Sequence, residues 1–354
     1  MEHLAEEYAT GINRQEEWHG IKIDVEYEQT NQQIQSTKTS DNIFSNLKKF
    51  QHEEYQYLNI LENIIDNGFW EEGRNGKTKS IFGNSMRFSL KDGKIPILTT
   101  KKTAWKTCLK ELLWFIRGET DNRLLKEQGV HIWDANASRE FLDSRGLTNY
   151  PEDILGPIYG YQWRFFNAEY RPWRMCNCSV PYSCYCGAPQ NEADAVDQLQ
   201  QIIDALKDPK QRTSRRLIMS AWNPCQLDQM ALPPCHILCQ FNVHDGNKLS
   251  CAMYQRSGDF PLGIPFNIAS YSFLTHLIAK HCRLEAYEFV HFVGNCHIYE
   301  DHIEPMKEQI LREPFEFPTV SIKCVRENIN DYQVEDFELH NYKSHDAIKM
   351  KMVA

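Results

Sequence analysis

The 354-residue chain lacks most of the features that would set it apart from an ordinary globular protein. No segment approaches eighteen consecutive apolar residues, so a membrane-spanning helix is not expected. Residues 1–30 have no basic start followed by an apolar run and a small-residue cleavage site. A secretory leader is therefore not expected, and the chain reads as cytoplasmic. Positive charge is short: 39 Lys and Arg stand against 48 Asp and Glu, a net charge of −9. Nucleic acids and anionic membrane surfaces would be repelled at long range, so neither is expected as a partner. A small anionic substrate would need a local cluster of arginines. There is no internal repeat, no linker after about residue 49, and no regular βαβ alternation. Without a secretory context, the twelve cysteines are expected as reduced thiols, ligands or catalysts rather than a disulfide framework.

What is present is a hydrophobic share of 42%, enough for a substantial core. Residues 1–49 are polar, with a low-complexity stretch, "TNQQIQSTKTS", and read as a mostly disordered arm. Within the arm, "GIKIDVEYEQ" alternates as one strand might. The folded region is expected over 50–354. It opens on "EEYQYLNILENIIDNG", where Tyr57, Ile60, Leu61, Ile64 and Ile65 fall at helical spacing and Gly68 supplies a stop. Strand-like runs include "KSIFGNSMRFSL", "IPILTT", "RRLIMSAW", "ILCQFNVH" and "KLSCAMYQR". Helical runs include "KTAWKTCLKELLWFIRG", "ADAVDQLQQIIDALKD" and "PFNIASYSFLTHLIAKH". Their irregular alternation predicts an α+β fold with a mixed sheet.

Three stretches carry chemistry. In "RMCNCSVPYSCYCGAP", Cys176, Cys178, Cys184 and Cys186 could hold zinc tetrahedrally, although one residue inside each pair is less than the usual spacing; a surface loop with free thiols is the plainer reading. In "MALPPCHILCQF", two prolines lock the backbone directly before Cys235 and His236, as if one sulfur had to be held in place. "YQRSGDFPLGIPFNIASY" gathers Arg256, Ser257, Asp259 and Asn267, with Pro265 at the expected first position of a helix. Arginines in loops opposite a serine, here Arg74, Arg215 and Arg216, are what a phosphate site is made from.

These stretches occur together with "RNGKTKSIFG", "ELLWFIRG", "IWDAN", "GPIYGYQWR", "RRLIMSAWNP" and "CHIYEDHIEP". In that order and combination the chain resembles the thymidylate synthases, over residues 58–354. The resemblance implies a large mixed β-sheet with flanking helices, a sheet-to-sheet homodimer, and reductive methylation of dUMP by methylene-tetrahydrofolate, with no metal required. It implies Cys235 as the nucleophile on C6, Arg256 favouring its thiolate, and Asn267 reading uracil. Glu111 is implied as general acid and base, supported by Tyr159 and His236. For the nucleotide it implies Arg74, Gln255, Arg256, Ser257, Gly258 and Asp259, His297 and Tyr299 at the sugar, and Arg215 and Arg216 reaching over from the partner. For folate it implies Lys101, Ile132, Trp133, Asn136, Asp259, Leu262, Gly263, Phe266 and, in a closing tail, Val353.

Some features depart from the family pattern. The Arg74 loop is shorter by about one residue, Asn295 stands where aspartate is common, and 171–193 is an insertion. Roughly fifty residues ahead of the core are too few to house a reductase domain. Rival readings are a hydroxymethylase of the same fold, a Cys-His hydrolase, and a regulatory binding protein in which the arm and the cysteine loop carry the role and catalysis is secondary. Adjacent residues on a strand point to opposite faces, which makes Cys235 and His236 a poor nucleophile and base pair.

Overall fold

The computed structural model describes residues 52–73, 76–171 and 195–352. The polar arm, Arg74, the four cysteines of the 171–193 insertion and Val353 therefore lie outside the described residues. The helices are α1 (Tyr55–Asn67), α2 (Trp105–Ile116), α3 (Arg123–Lys126), α4 (Asp134–Ala137), α5 (Arg139–Ser144), α6 (Gly160–Phe165), α7 (Gln198–Lys207), α8 (Gly263–His281) and α9 (Ile303–Ile310). The strands are β1 (Phe69–Gly73), β2 (Gly76–Ser89), β3 (Ile218–Ser220), β4 (His236–His244), β5 (Lys248–Asp259), β6 (Glu285–Tyr299), β7 (Thr319–Ile322) and β8 (Phe337–His340).

Six strands form one sheet in the order β1-β2-β6-β5-β4-β3, and β7 pairs with β8 separately. Within the large sheet β5 and β6 run parallel and the other neighbours antiparallel, so the expected mixed α+β sheet is present. α8 is buried on nearly every side, its serines and threonine included, as befits a helix inside a core rather than on its surface. It packs on β5, β6 and α2. Its own Phe273 and, around it, Trp114, Trp163, Phe241 and Phe289 are fully buried, each contributing about 1.5–3 kcal/mol.

Two expectations change. "IPILTT" forms no strand. The backbone N–H groups of Thr99 and Thr100 are taken by the buried carboxylate of Glu54, at 2.8–3.1 Å, so the segment needs no neighbouring strand. α8 begins two residues before Pro265, at Gly263, which a proline tolerates because the first turn has no intrahelical use for its N–H. β6, the fifteen-residue strand beside β5, joins the strands already read. Among the described residues no helix is long and apolar enough to cross a membrane.

Candidate active site

A cavity of about 850 Å³ opens where the sheet, the first turn of α8, α2, the α4–α5 region and the chain's last described residues meet. Cys235 stands at its wall, immediately before β4. The Cys235 N–H donates to the Tyr159 hydroxyl at 2.8 Å, and its carbonyl accepts from the Arg256 N–H at 2.8 Å. Arg256 donates through Nε to the Pro234 carbonyl (2.8 Å) and through Nη2 to that of Pro233 (2.9 Å), which leaves Nη2 3.9 Å from Sγ. The two prolines thus anchor an arginine as well as a backbone turn. A positive charge so placed favours the anionic form of a thiol.

On the neighbouring strands a chain of amides orients Asn267. Gln255 Nε2 donates to the Ser257 carbonyl and to Asn267 Oδ1, both at 2.9 Å. Because a backbone carbonyl can only accept, this nitrogen is the amide's donor. Gln255 Oε1 must then accept from His291 Nε2, 2.9 Å away. Burial pushes the His291 imidazole down to about 3, so it is neutral and holds this tautomer. With Oδ1 engaged, Asn267 has its NH₂ left to offer the cavity. His291 was not legible as a site residue, since in sequence it is one more alternating residue of a strand. Gly258 does not line the cavity. A Cβ there would lie 2.5 Å from Ile264 Cδ1, so glycine is what lets α8 approach β5.

The opposite chemistry occupies the helical side. Glu111, on α2, has its carboxyl pushed up to about 7 by burial, and the 2.7 Å bond from Trp133 Nε1–H only partly offsets this. Tyr159 sits between the two clusters at φ +25°, a backbone conformation that strains a non-glycine residue. Gly160 follows because a Cβ would come within 2.2 Å of the Phe115 carbonyl oxygen. The His236 ring lies 4.3 Å from that of Tyr159, its Nδ1 is 2.9 Å from the Tyr271 hydroxyl, and burial pushes it down to about 3. A neutral imidazole so occupied is no base for Cys235.

At one end of the cavity, the His297 Nδ1 is 2.9 Å from Asn295 Oδ1, so asparagine still supplies an acceptor where the family commonly has aspartate. Tyr299 packs edge-on against His297, and Ser257 lines the wall nearby in the sheet. Asp259, Leu262, Gly263 and Phe266 line the stretch from β5 into α8, with Ile132, Trp133 and Asn136 also on the wall. Burial pushes the Asp259 carboxyl up to about 6, and its Oδ1 is buried without a partner. The tail already contributes wall: Met350 and Met352 line the cavity, and His302 Nε2 lies 2.8 Å from the Lys351 carbonyl.

Lys101 takes another place than expected. It is buried, with its ammonium donating to the Pro261 carbonyl, and burial pulls it down to about 8. It braces the turn after Asp259 and is not among the residues that line the cavity, although the resemblance implies it for folate. Arg215 and Arg216 are exposed ahead of β3 and outside this cavity. Sequence reading missed Glu71, Glu72, Thr78 and Arg145, which also line it, because nothing in the local pattern marks them. Among the described residues no three His, Cys, Asp or Glu side chains are grouped as metal ligands.

A family profile described as thymidylate synthase matches residues 55–354. The chain is 47% identical over 303 residues to a bifunctional dihydrofolate reductase-thymidylate synthase of Leishmania major, covering 85% of this chain and 55% of that one. It is 49% identical over 303 residues to that of Paramecium tetraurelia (85% and 62%), and 50% identical over 315 residues to that of Plasmodium berghei, strain Anka (88% and 50%). The chain thus spans between 50% and 62% of the length of these relatives.

Proposed function

Because the chain belongs to the thymidylate synthase family, we propose that residues 50–354 form a catalytic domain that converts dUMP to dTMP with methylene-tetrahydrofolate as co-substrate. The Cys235 thiolate adds to C6 of the pyrimidine, and the electron pair moves through C5 onto O4, where the Asn267 NH₂ meets it. The second lone pair of Asn267 Oδ1 accepts from N3–H, a pairing that cytosine reverses. The nucleophilic C5 then bonds the one-carbon unit. Loss of the C5 proton, release of the folate nitrogen and return of a hydride from the folate leave a methyl group and dihydrofolate. Expulsion of the sulfur regenerates Cys235.

Glu111 has the burial to exchange protons near neutral pH, with Tyr159 and His236 ordering its surroundings. Trp133, 7% exposed beside it, screens the one-carbon unit from water, which would otherwise give a hydroxymethyl product. The phosphate is assigned to Arg74, Arg256 and Ser257 with the partner's Arg215 and Arg216, the sugar to His297 and Tyr299, and folate to Ile132, Trp133, Asn136, Asp259, Leu262, Gly263, Phe266 and Val353. A homodimer is supported by the outer sheet face, where Ile218, Tyr254 and Phe292 are 46%, 37% and 44% exposed and Tyr254 pairs in register with both Leu238 and Phe292.

The observation that carries the reading is the single wall holding Cys235 Sγ 3.9 Å from Arg256 together with an Asn267 amide whose orientation is set by Gln255. Purified chain given dUMP and methylene-tetrahydrofolate is expected to develop dihydrofolate absorbance, and Cys235→Ala to lose it by at least about 10³-fold. dCMP is not expected to replace dUMP. Accumulation of tetrahydrofolate and a hydroxymethyl nucleotide would instead establish the hydroxymethylase.

A further inference from the structure

Among the described residues two arginines line the cavity, Arg256 and Arg145. Arg256 donates to the carbonyls of Pro233 and Pro234, and the function proposed above gives its remaining donor to the phosphate. The Arg145 side chain makes no hydrogen bond or ion pair among the described residues, and its Nε is buried without an acceptor. The nearest carboxylate in sequence, Asp143, is taken by Arg139 at 2.8 Å. An arginine left without an anion in a partly desolvated wall is unfavourable unless a ligand supplies one.

Its backbone is held in place for such a ligand. Arg145 caps α5, with its N–H on the Phe141 carbonyl, and Gly146 leaves the helix at φ +77°. Arg139 pins the following turn by donating to the carbonyls of Leu147 and Tyr150. The same short run of chain carries Trp133 and Asn136. With Nε covered, the terminal amino groups are what Arg145 can offer the cavity, and that end of a guanidinium matches a carboxylate.

Resting on the function proposed above, we propose that Arg145 binds a carboxylate of the glutamyl tail of the folate co-substrate and sets the preference for glutamylated folate. Lys101, the cation that the resemblance implies for folate, instead donates to the Pro261 carbonyl. The test compares kcat/KM for methylene-tetrahydrofolate triglutamate with that for the analogue whose glutamate is replaced by methylamide. Arg145→Leu is expected to shrink the ratio roughly 10- to 100-fold, the worth of one charge-assisted hydrogen-bonded pair, and Arg145→Lys to restore part of it. An unchanged ratio, an equal loss with both folates, or a loss confined to the KM for dUMP would overturn the assignment. A parent chain inactive with either folate would defeat the reaction assignment itself, a result read before any variant is compared.

Discussion

On the sheet side of the cavity Gln255 has its amide spread over Ser257, Asn267 and His291, and Arg256 is held by two proline carbonyls. On the helical side Glu111 has one side-chain partner among the described residues, Trp133, and Arg145 has none. The difference teaches how the two sides divide the work. Where groups are saturated by protein partners, as in the Gln255 relay, geometry is set before any ligand arrives and no reorganisation remains for the reaction. Where a carboxyl is buried with few partners, it titrates near neutrality and can move protons.

That contrast predicts different signatures for mutations on each side. Asn267→Ala, which removes the amide that the sheet-side relay orients, is expected to give the largest loss of the three, about 10²–10³-fold in kcat/KM for dUMP, the usual cost of losing one donor to a developing oxyanion. Its pH-rate profile should keep the parent midpoint; a midpoint moved by a full unit would show that the two sides are not independent.

Glu111→Gln is expected to cost about 10²-fold and to flatten the limb near pH 7. It should also change stability. The carboxyl, near 4.5 unfolded, is raised to about 7 when folded, so it favours the folded state most below pH 4.5 and loses that contribution as pH rises through 7. Urea titrations should therefore find the glutamine variant more stable than its parent at pH 8.5, by on the order of 2 kcal/mol, with little difference at pH 5. A variant equally less stable at both pH values would mean that Glu111 is held ionised by a partner.

The smallest effect is expected from Trp133→Phe. It keeps the aromatic bulk and removes the donor that opposes the desolvation of Glu111. The midpoint assigned to Glu111 should rise, and kcat should fall about tenfold. A falling midpoint would place the control of Glu111 elsewhere.

Much of the site was legible along the chain because its chemistry is written in short runs. "MALPPCH" announced a pinned sulfur, and "YQRSGD" with "PFNIASY" supplied Arg256, Asp259 and Asn267, which line the same cavity. β2, β4, β5, α2, α7 and α8 followed from period and punctuation. Other features depended on residues far apart in sequence. "IPILTT" reads as a strand until Glu54, some 45 residues away, satisfies its N–H groups. Lys101 reads as a folate contact until Pro261, 160 residues on, accepts from it. Arg145 looks like any helix-end arginine until the fold leaves its side chain unpaired in the cavity.

The amino-acid sequence by itself determined the family and the mixed α+β class, and it singled out Cys235 as the candidate nucleophile, since these rest on residue types at short spacing. Tertiary structure alone decided which carboxyl titrates near 7, which way Asn267 faces, and which cation is left for a ligand. The physical reason is that desolvation and hydrogen-bond saturation depend on what surrounds a group, and those surroundings come from segments that meet only when the chain is folded.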